Sequence, residues 1–128
     1  MEEMVRKVCL DSDVLISLLN KDEKTKSVLE SVHAQFYITS VSAFEIWYGR
    51  KKSEMISALL QSLHHLELDT VAAQQAADML RTLKEQGQII ELRDLFIGAT
   101  CIRNGIELLT FNKKHFERLT PFGLKLVS

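Results

Sequence analysis

Three carboxylates in this sequence end or interrupt apolar runs, where an unpaired charge is costly. Asp11 ends the first apolar run of the chain, and Glu45 and Asp94 lie within later apolar stretches. Carboxylates in such surroundings are paired with a cation or bound to a metal ion, and crowded like charges need the same neutralisation. Oxygen-only ligands suit Mg²⁺ or Mn²⁺, which keep several waters and bind substrate phosphates. The pattern favours metal-assisted cleavage of a phosphodiester bond, in which the metal activates water and stabilises the leaving oxygen.

Asp11 and Glu45 also have structural interpretations. Asp11 is a candidate helix cap, although Ser12 could cap the same helix and leave Asp11 without a structural role. Glu45 would complete a Ser-x-x-Glu capping box if its helix begins at Ser42. If the helix begins at Ser40, Glu45 lies too far into it to cap and is a carboxylate among apolar neighbours that needs a partner. We favour a functional role for both acids.

Asp94 lies near the start of the most apolar helical stretch of the chain, residues 92–103. Its structural alternatives are stabilisation of the helix dipole and an ion pair with Arg93 or another cation. Glu91 already supplies a negative charge at this helix terminus. Because a buried carboxylate of this kind is usually paired or bound to metal, we expect Asp94 to contribute to a metal site.

Two polar residues, Thr110 and Asn112, follow the last apolar run before a short helix. Asn112 is a candidate N-cap, and both side chains could also hold water or a carboxylate. Asp13 is the least defined acid, since it could be only a favourable charge in the first turn of a helix. His64-His65 would face opposite sides of a strand, which is more typical of a surface than of a zinc site.

An alternation of strands and helices would bring these residues together. Parallel strands joined by helices place their carboxyl ends at one edge of the sheet, where ligands bind. The sequence therefore predicts an α/β fold, with helices on both faces of a mainly parallel twisted sheet of four to five strands. The predicted strands are 5–10, 36–39, 66–68 and 106–110, with a final edge strand at 124–127 after a turn at 121–123. The predicted helices are 12–19, 23–33, one from Ser40 or Ser42 to Gly49, 53–62, 71–86, 92–103 and 112–118.

Length, charge and cysteine content set further limits. The 128 residues suffice for one domain, 1–128, with a real core. The net charge of -1 gives no global attraction for nucleic acid, so a polyanion would be held by a local basic patch or through metal ions. Cys9 and Cys101 lie in apolar runs and are expected to be buried free thiols, which favours a reducing, cytoplasmic compartment. We see neither a signal-type apolar core nor a run long enough to span a membrane.

Four segments, in the right order and spacing and distributed over nearly the full length of the chain, resemble the PIN domain and within that superfamily the VapC-type toxin ribonucleases. Each motif alone is weak, and the four together are strong. The resemblance implies a single PIN-like domain, a three-layer α/β/α sandwich. The segments are LDSDVLI (10–16), SVSAFEIWYG (40–49), DLFIGAT (94–100) and LTFNKKHF (109–116).

This resemblance also implies a Mg²⁺- or Mn²⁺-dependent endoribonuclease whose acidic, metal-binding site is formed by Asp11, Glu45 and Asp94. Thr110 matches a recurrent hydroxyl position of the family. Asn112 stands where the family often has a fourth acid, which would weaken a second metal site. Asp13 is a candidate to restore part of the missing charge. The resemblance further implies an RNA substrate, a homodimer and inhibition by a VapB-type antitoxin.

Basic and aromatic residues near the predicted site are candidates for substrate or partner contacts. Arg50-Lys51-Lys52 and Lys113-Lys114-His115, with Arg118, could touch RNA phosphates or form only a solvated surface at helix ends. Trp47 is expected in the core, whereas an exposed Tyr48 would indicate a dimer or antitoxin contact. The remaining candidate is an apolar face that is an interface if exposed and core if buried, formed by Ile56, Leu59, Leu60 and Leu63.

The sequence leaves two other functions open. A non-catalytic PIN-fold binding module is motivated by Asn112 in place of an acid. A haloacid-dehalogenase-like phosphatase is suggested by Asp11-Ser12-Asp13, in which Asp11 would be the nucleophile and Asp13 the acid. Against the phosphatase, Leu15 stands where that pattern usually has threonine, and no second pair of acids follows the fourth strand.

Overall fold

A parallel sheet lies at the centre of the molecule. The computed structural model describes residues 5–49 and 54–128. Its strands are β1 (Lys7–Leu10), β2 (Gln35–Thr39), β3 (His64–Leu66) and β4 (Glu107–Leu109). Their order is β3-β2-β1-β4, and every neighbouring pair is parallel. All four strands therefore end at the same edge, which confirms the predicted α/β class and gathers the residues that follow them.

Helices follow each strand and return the chain to the opposite edge of the sheet. Parallel pairing of neighbouring strands requires crossover connections of this kind. The helices of the described residues are α1 (Ser12–Leu19), α2 (Glu23–Ser31), α3 (Ser40–Gly49), α4 (Glu54–Gln61), α5 (Thr70–Glu85), α6 (Leu92–Asn104) and α7 (Lys113–Phe116), and a 3₁₀ helix at Glu117–Phe122 follows α7.

Alternate side chains of the sheet enter two separate hydrophobic clusters. Cys9 and Leu108 lie in the cluster formed with α5 and α6. Val8 and Leu10 lie in the cluster formed with α1, α3 and α4. A strand that is buried on both faces produces this alternation, so the predicted three layers are confirmed. Cys9 and Cys101 are buried free cysteines, as expected.

Two predicted strands are displaced or reduced. The third strand is His64–Leu66 rather than 66–68, because Tyr37 pairs with His64 and Thr39 with Leu66. The final strand predicted at 124–127 is a single bridge between Leu126 and Leu108. The predicted helix 112–118 is divided into α7 and the 3₁₀ helix, which replaces the start of the expected turn and runs to Phe122.

The surface assignments are also partly corrected. Trp47, which we expected in the core, is 38% exposed, and Tyr48 is 82% exposed. Ile56 and Leu60 are buried and belong to the core, so this apolar face is not an open interface. The predicted helix start at Ser53 and the cluster Arg50-Lys51-Lys52 lie outside the described residues. Among the residues that are described, no helix combines the length and the apolar character needed to cross a bilayer.

Candidate active site

Asp11 joins the end of β1 to the start of α1. Its backbone N–H donates to the carbonyl oxygen of Leu109 in β4 at 3.0 Å, and its carboxylate is 1% exposed. Of the two candidate caps of α1, Asp11 rather than Ser12 is the N-cap, and its Oδ1 accepts from the N–H of Ser12 at 2.8 Å. The cap does not exhaust the carboxylate, because Oδ2 accepts from the hydroxyl of Thr110 at 2.8 Å. Asp11 therefore has both a structural role and contacts within the site.

Glu45 lies in the second turn of α3. The helix begins at Ser40, so the capping box with Ser42 does not form, and Glu45 projects toward α6. Its two carboxylate oxygens accept from Nε and Nη2 of Arg93, each at 2.7 Å. This two-point pairing is the strong geometry between arginine and carboxylate. Glu45 therefore has a cationic partner, as expected for a carboxylate within an apolar segment.

Asp94 lies in the first turn of α6 and is 3% exposed. Its Oδ1 accepts from Nη1 of Arg93 at 2.5 Å, and Oδ2 lies 3.8 Å from Nδ1 of His115. Burial raises the pKa of Asp94 and outweighs the opposing effect of Arg93, and the nearby charge of Asp11 acts in the same direction as burial. A cation at this position would therefore also stabilise the ionised form of Asp94.

Arg93 connects all three acids, whereas the sequence indicated it only as one possible partner of Asp94. Its Nη2 donates to Asp11 Oδ1 at 2.8 Å and to Glu45 Oε1 at 2.7 Å. Burial would lower the pKa of Arg93, but hydrogen bonds and charges from Glu45 and Asp11 outweigh it and raise the pKa. The guanidinium is thus a permanent cation at the point where the acids converge.

Thr110 and Asp13 form the neighbouring half of the site. Asp13 Oδ2 accepts from the backbone N–H of Phe111 at 3.0 Å and from Nδ2 of Asn112 at 3.2 Å. The N–H of Asn112 donates to Thr110 Oγ1 at 3.0 Å, which directs that hydroxyl toward Asp11. Asp13 is therefore more than a first-turn charge, because it ties α1 to the loop after β4. Burial, and next the charge of Asp11, raise the pKa of Asp13.

The predicted residues therefore fall into two groups. Asp11, Glu45 and Asp94 converge on one cation, and Thr110 contacts Asp11. The side chain of Asn112 instead bonds to Asp13 at the rim. Asn112 is also the N-cap residue of α7 by position, but its side chain makes no capping hydrogen bond.

Comparison with known proteins identifies the family. The family model for the PIN domain matches residues 8–120. The chain belongs to the PIN domain family. The resemblance carried by the four sequence motifs is thereby confirmed, and the haloacid-dehalogenase pattern gains no support.

Named relatives and a solved structure agree with this assignment. Ribonuclease VapC10 of Mycobacterium tuberculosis is 31% identical to this PIN domain over 121 residues, covering 89% of this chain and 91% of the relative. Ribonuclease VapC1 of Methanocaldococcus jannaschii is 29% identical over 129 residues, covering 98% and 90%. A crystal structure of VapBC2 from Rickettsia felis bound to a promoter DNA fragment shares the fold, with a TM-score of 0.80 at 24% identity over 94% of this chain and 97% of that one.

The acids of this PIN domain have the right chemistry for a hard divalent ion. Within residues 5–49 and 54–128, no three His, Cys, Asp or Glu side chains are grouped as they stand into a metal site. Asp11 Oδ1 and Glu45 Oε1 nevertheless lie within 2.8 Å of one nitrogen of Arg93, so both oxygens already accept hydrogen bonds from the same cationic group. Carboxylate oxygens that converge in this way fit Mg²⁺ or Mn²⁺. The carboxylate oxygens are suitable metal ligands, and the guanidinium of Arg93 lies between them.

A basic pocket opens beside the acids of the PIN domain. It has a volume of about 490 Å³ and lies next to Thr110, which contacts Asp11. Three of its lining residues carry basic side chains, and Phe111 is 49% exposed. Such a surface could bind phosphates and bases of a single strand beside the carboxylates. Its full lining is Thr110, Phe111, Asn112, Lys113, Lys114 and His115.

Proposed function

We propose that this PIN domain is a metal-dependent endoribonuclease of the VapC toxin type, formed by residues 1–128 as one domain. The observation that carries the proposal is the convergence of Asp11, Glu45 and Asp94 on one cationic point at the carboxyl edge of the sheet. The named VapC ribonucleases that resemble most of the chain support the same activity. The reaction is hydrolysis of RNA phosphodiester bonds.

The acids would hold Mg²⁺ or Mn²⁺, with Asp11, Glu45 and Asp94 as its protein ligands. When bound, the ion would lower the pKa of a coordinated water and neutralise charge on the leaving oxygen. Thr110 fixes the orientation of Asp11 through its 2.8 Å hydrogen bond. Asn112 and Asp13 hold the loop after β4 against α1, which keeps Thr110 in place.

RNA is the substrate that best suits the surface beside the acids. Lys113, Lys114 and His115 line the pocket next to Thr110 and would contact phosphates, while the exposed ring of Phe111 would stack on a base. The net charge of the whole chain is -1, so this local patch and the bound ion would supply the attraction for a polyanion.

The protein partners are a VapB-type antitoxin and a second copy of the chain. A VapBC complex that shares the fold supports the antitoxin. The exposed ring of Tyr48 stacks on Phe44, with centroids 5.8 Å apart, and offers an aromatic anchor for such a contact. A cytoplasmic location remains a prediction from the two free thiols.

Cleavage of a mixed pool of structured RNAs tests the activity. Purified, partner-free protein is incubated with Mn²⁺, Mg²⁺ or EDTA, beside Asp94→Asn and the control Asp78→Asn. Asp78 is exposed and pairs with Arg81 on α5. We expect discrete cuts that need the metal, disappear in Asp94→Asn and persist in Asp78→Asn. Cuts that persist in EDTA or in Asp94→Asn would contradict the proposal.

A non-catalytic binding module is the second candidate. The specific observation in its favour is that Arg93 already forms ion pairs with the acids and Asn112 bonds to Asp13 rather than adding a carboxylate to them. A binding module would hold RNA equally well in EDTA and as Asp94→Asn. Filter binding with the same RNA pool distinguishes it from the nuclease, which would release cut products only with metal.

A further inference from the structure

We infer that Arg93 is an internal substitute for the metal ion, and that a divalent cation binds the three acids only after the guanidinium has withdrawn. The inference rests on the proposed function for the identity of the ion, but it concerns a residue that the nuclease mechanism does not use. Arg93 would thereby set the metal concentration at which the site becomes competent.

Arg93 donates hydrogen bonds to carboxylate oxygens that a metal ion would also use as ligands. Each carboxylate oxygen offers two lone-pair sites. Both sites on Asp11 Oδ1 are taken, one by the N–H of Ser12 and one by Nη2 of Arg93, each at 2.8 Å. Both oxygens of Glu45 accept from the same guanidinium at 2.7 Å. An ion and the guanidinium therefore compete for the same atoms.

Electrostatic repulsion also prevents a divalent ion and the Arg93 guanidinium from binding the acids together. A divalent ion beside a guanidinium experiences like-charge repulsion, which is strong where the site is shielded from water. Asp11 and Asp94 are both nearly inaccessible to solvent, at 1% and 3%. The Arg93 side chain is 27% exposed, so its path of withdrawal leads outward to solvent rather than through the core.

Arg93 also accounts for the stability of the site without an ion. Three carboxylates that meet at one point would repel each other or take up protons unless a cation lies between them. The guanidinium supplies that cation and five directional donors. The folded protein can thus exist free of metal, and the ion is acquired by exchange.

Metal binding by an Arg93→Met variant tests this exchange. Protein freed of metal is titrated with Mn²⁺ by calorimetry at pH 7.5, without RNA, beside wild type and Arg81→Met. Arg81 is an exposed arginine that pairs with Asp78 on α5, so its removal controls for the loss of one positive charge. We expect Arg93→Met to bind Mn²⁺ at least tenfold more tightly than wild type, which corresponds to about 1.4 kcal/mol. Arg81→Met should bind as wild type does.

Equal or weaker binding by Arg93→Met would overturn the inference, because the arginine would then support the acids while the ion binds beside it. NMR of the wild-type protein keeps the test independent of the folding of that variant. We expect saturating Mg²⁺ to move the Nε–H resonance of Arg93, assigned with Arg93→Lys, to a position and exchange rate typical of solvent. A resonance unchanged at saturation would likewise contradict the exchange.

These measurements do not depend on cleavage. Metal exchange at Arg93 without any RNA cut would leave the inference standing and remove the proposed nuclease. Cleavage with normal metal dependence but unchanged Mn²⁺ affinity in Arg93→Met would do the opposite.

Discussion

The hydroxyl of Thr110 donates a 2.8 Å hydrogen bond to Oδ2 of Asp11 across 99 residues of sequence. Both side chains are 1% exposed. This contact links the ends of the adjacent strands β1 and β4, and fixes one carboxylate oxygen while the other faces Arg93. The pairing of β1 with β4 therefore determines the position of Thr110 relative to Asp11.

Replacement of Thr110 by valine removes this donor while keeping the shape of the side chain. A buried carboxylate oxygen then loses its partner, so we expect the free energy of unfolding to fall by about 1–3 kcal/mol. RNA cleavage should fall as well, because Oδ2 of Asp11 loses the hydrogen bond from Thr110 that orients it. Urea unfolding and cleavage rates measure the two effects, and Thr110→Ser should recover most of both. Full activity in Thr110→Val would show that this contact does not orient Asp11.

Asp13 is expected to be a positioning residue. Its Oδ2 holds the N–H of Phe111 and Nδ2 of Asn112. Asp13→Ala should therefore lower the free energy of unfolding by about 1–2 kcal/mol and loosen the loop after β4. Amide hydrogen exchange at Phe111 and Asn112 should become faster in the variant. Unchanged exchange would mean that the loop is held by other contacts.

Asn112→Asp would place a second carboxylate against Asp13. The amide of Asn112 now donates to Asp13 Oδ2 at 3.2 Å, and an aspartate there would repel it. We expect a lower melting temperature than wild type without metal, and a larger increase than wild type on adding Mn²⁺. Thermal unfolding with and without Mn²⁺ measures both. A variant as stable as wild type without metal would contradict the expected repulsion.

The opposite edge of the sheet gives a prediction on pH. Arg6 donates to both carboxylate oxygens of Glu107, at 2.7 and 2.9 Å. This hydrogen-bonded pairing lowers the pKa of Glu107 below its ordinary value of 4.5. A depressed carboxyl pKa contributes stability above the unfolded value, and the contribution is lost as the pH falls through the folded value.

Glu107→Gln should therefore melt slightly below wild type at pH 7, and the difference should shrink as the pH falls below 4.5. The effect is small because the pair is partly exposed and salt-screened. Thermal unfolding of wild type and Glu107→Gln at pH 7 and at pH 3 measures this difference in melting temperature. A difference that persists unchanged at pH 3 would show that Glu107 acts through packing rather than through its charge.

The convergence of the acids was predictable because parallel strands share a carboxyl edge. Asp11 directly follows β1 and Glu45 lies on the helix that follows β2, so alternation of elements alone places them near each other. Asp94 lies on α6, before β4 rather than directly after a strand. Its assignment to the site was therefore based on the apolar character of that helix.

The role of Arg93 could not be derived from pattern. A long flexible side chain on α6 could point to Asp94, to solvent or across to α3, and only packing between α3 and α6 decides. The choice between Asp11 and Ser12 as the cap of α1 could not be made from pattern for a related reason. Ser12 and Asp11 are both good N-caps, and the choice depends on where the backbone of β1 turns, which Asp11 sets by donating to Leu109.

Edge elements were predicted less well than central ones. β1 is paired on both sides, so its register is fixed twice. Within residues 5–49 and 54–128, the final segment pairs only through Leu108, which donates to Lys125 and accepts from Val127. An apolar pattern at 124–127 shows that these side chains are buried, but not how many backbone bonds the segment makes.

The Asp11 carboxylate is the group on which the proposed metal-dependent RNA cleavage most directly depends. The most direct measurement compares cleavage rates with Mn²⁺ for wild type, Asp11→Asn and Asp22→Asn at one cut site from the RNA pool. Asp22 is a matched control, because it caps α2 with its carboxylate as Asp11 caps α1, and asparagine is a good cap at both positions. We predict a loss of at least about a hundredfold in Asp11→Asn, no loss in Asp22→Asn, and folded protein in both by circular dichroism. Wild-type cleavage by folded Asp11→Asn would contradict the account.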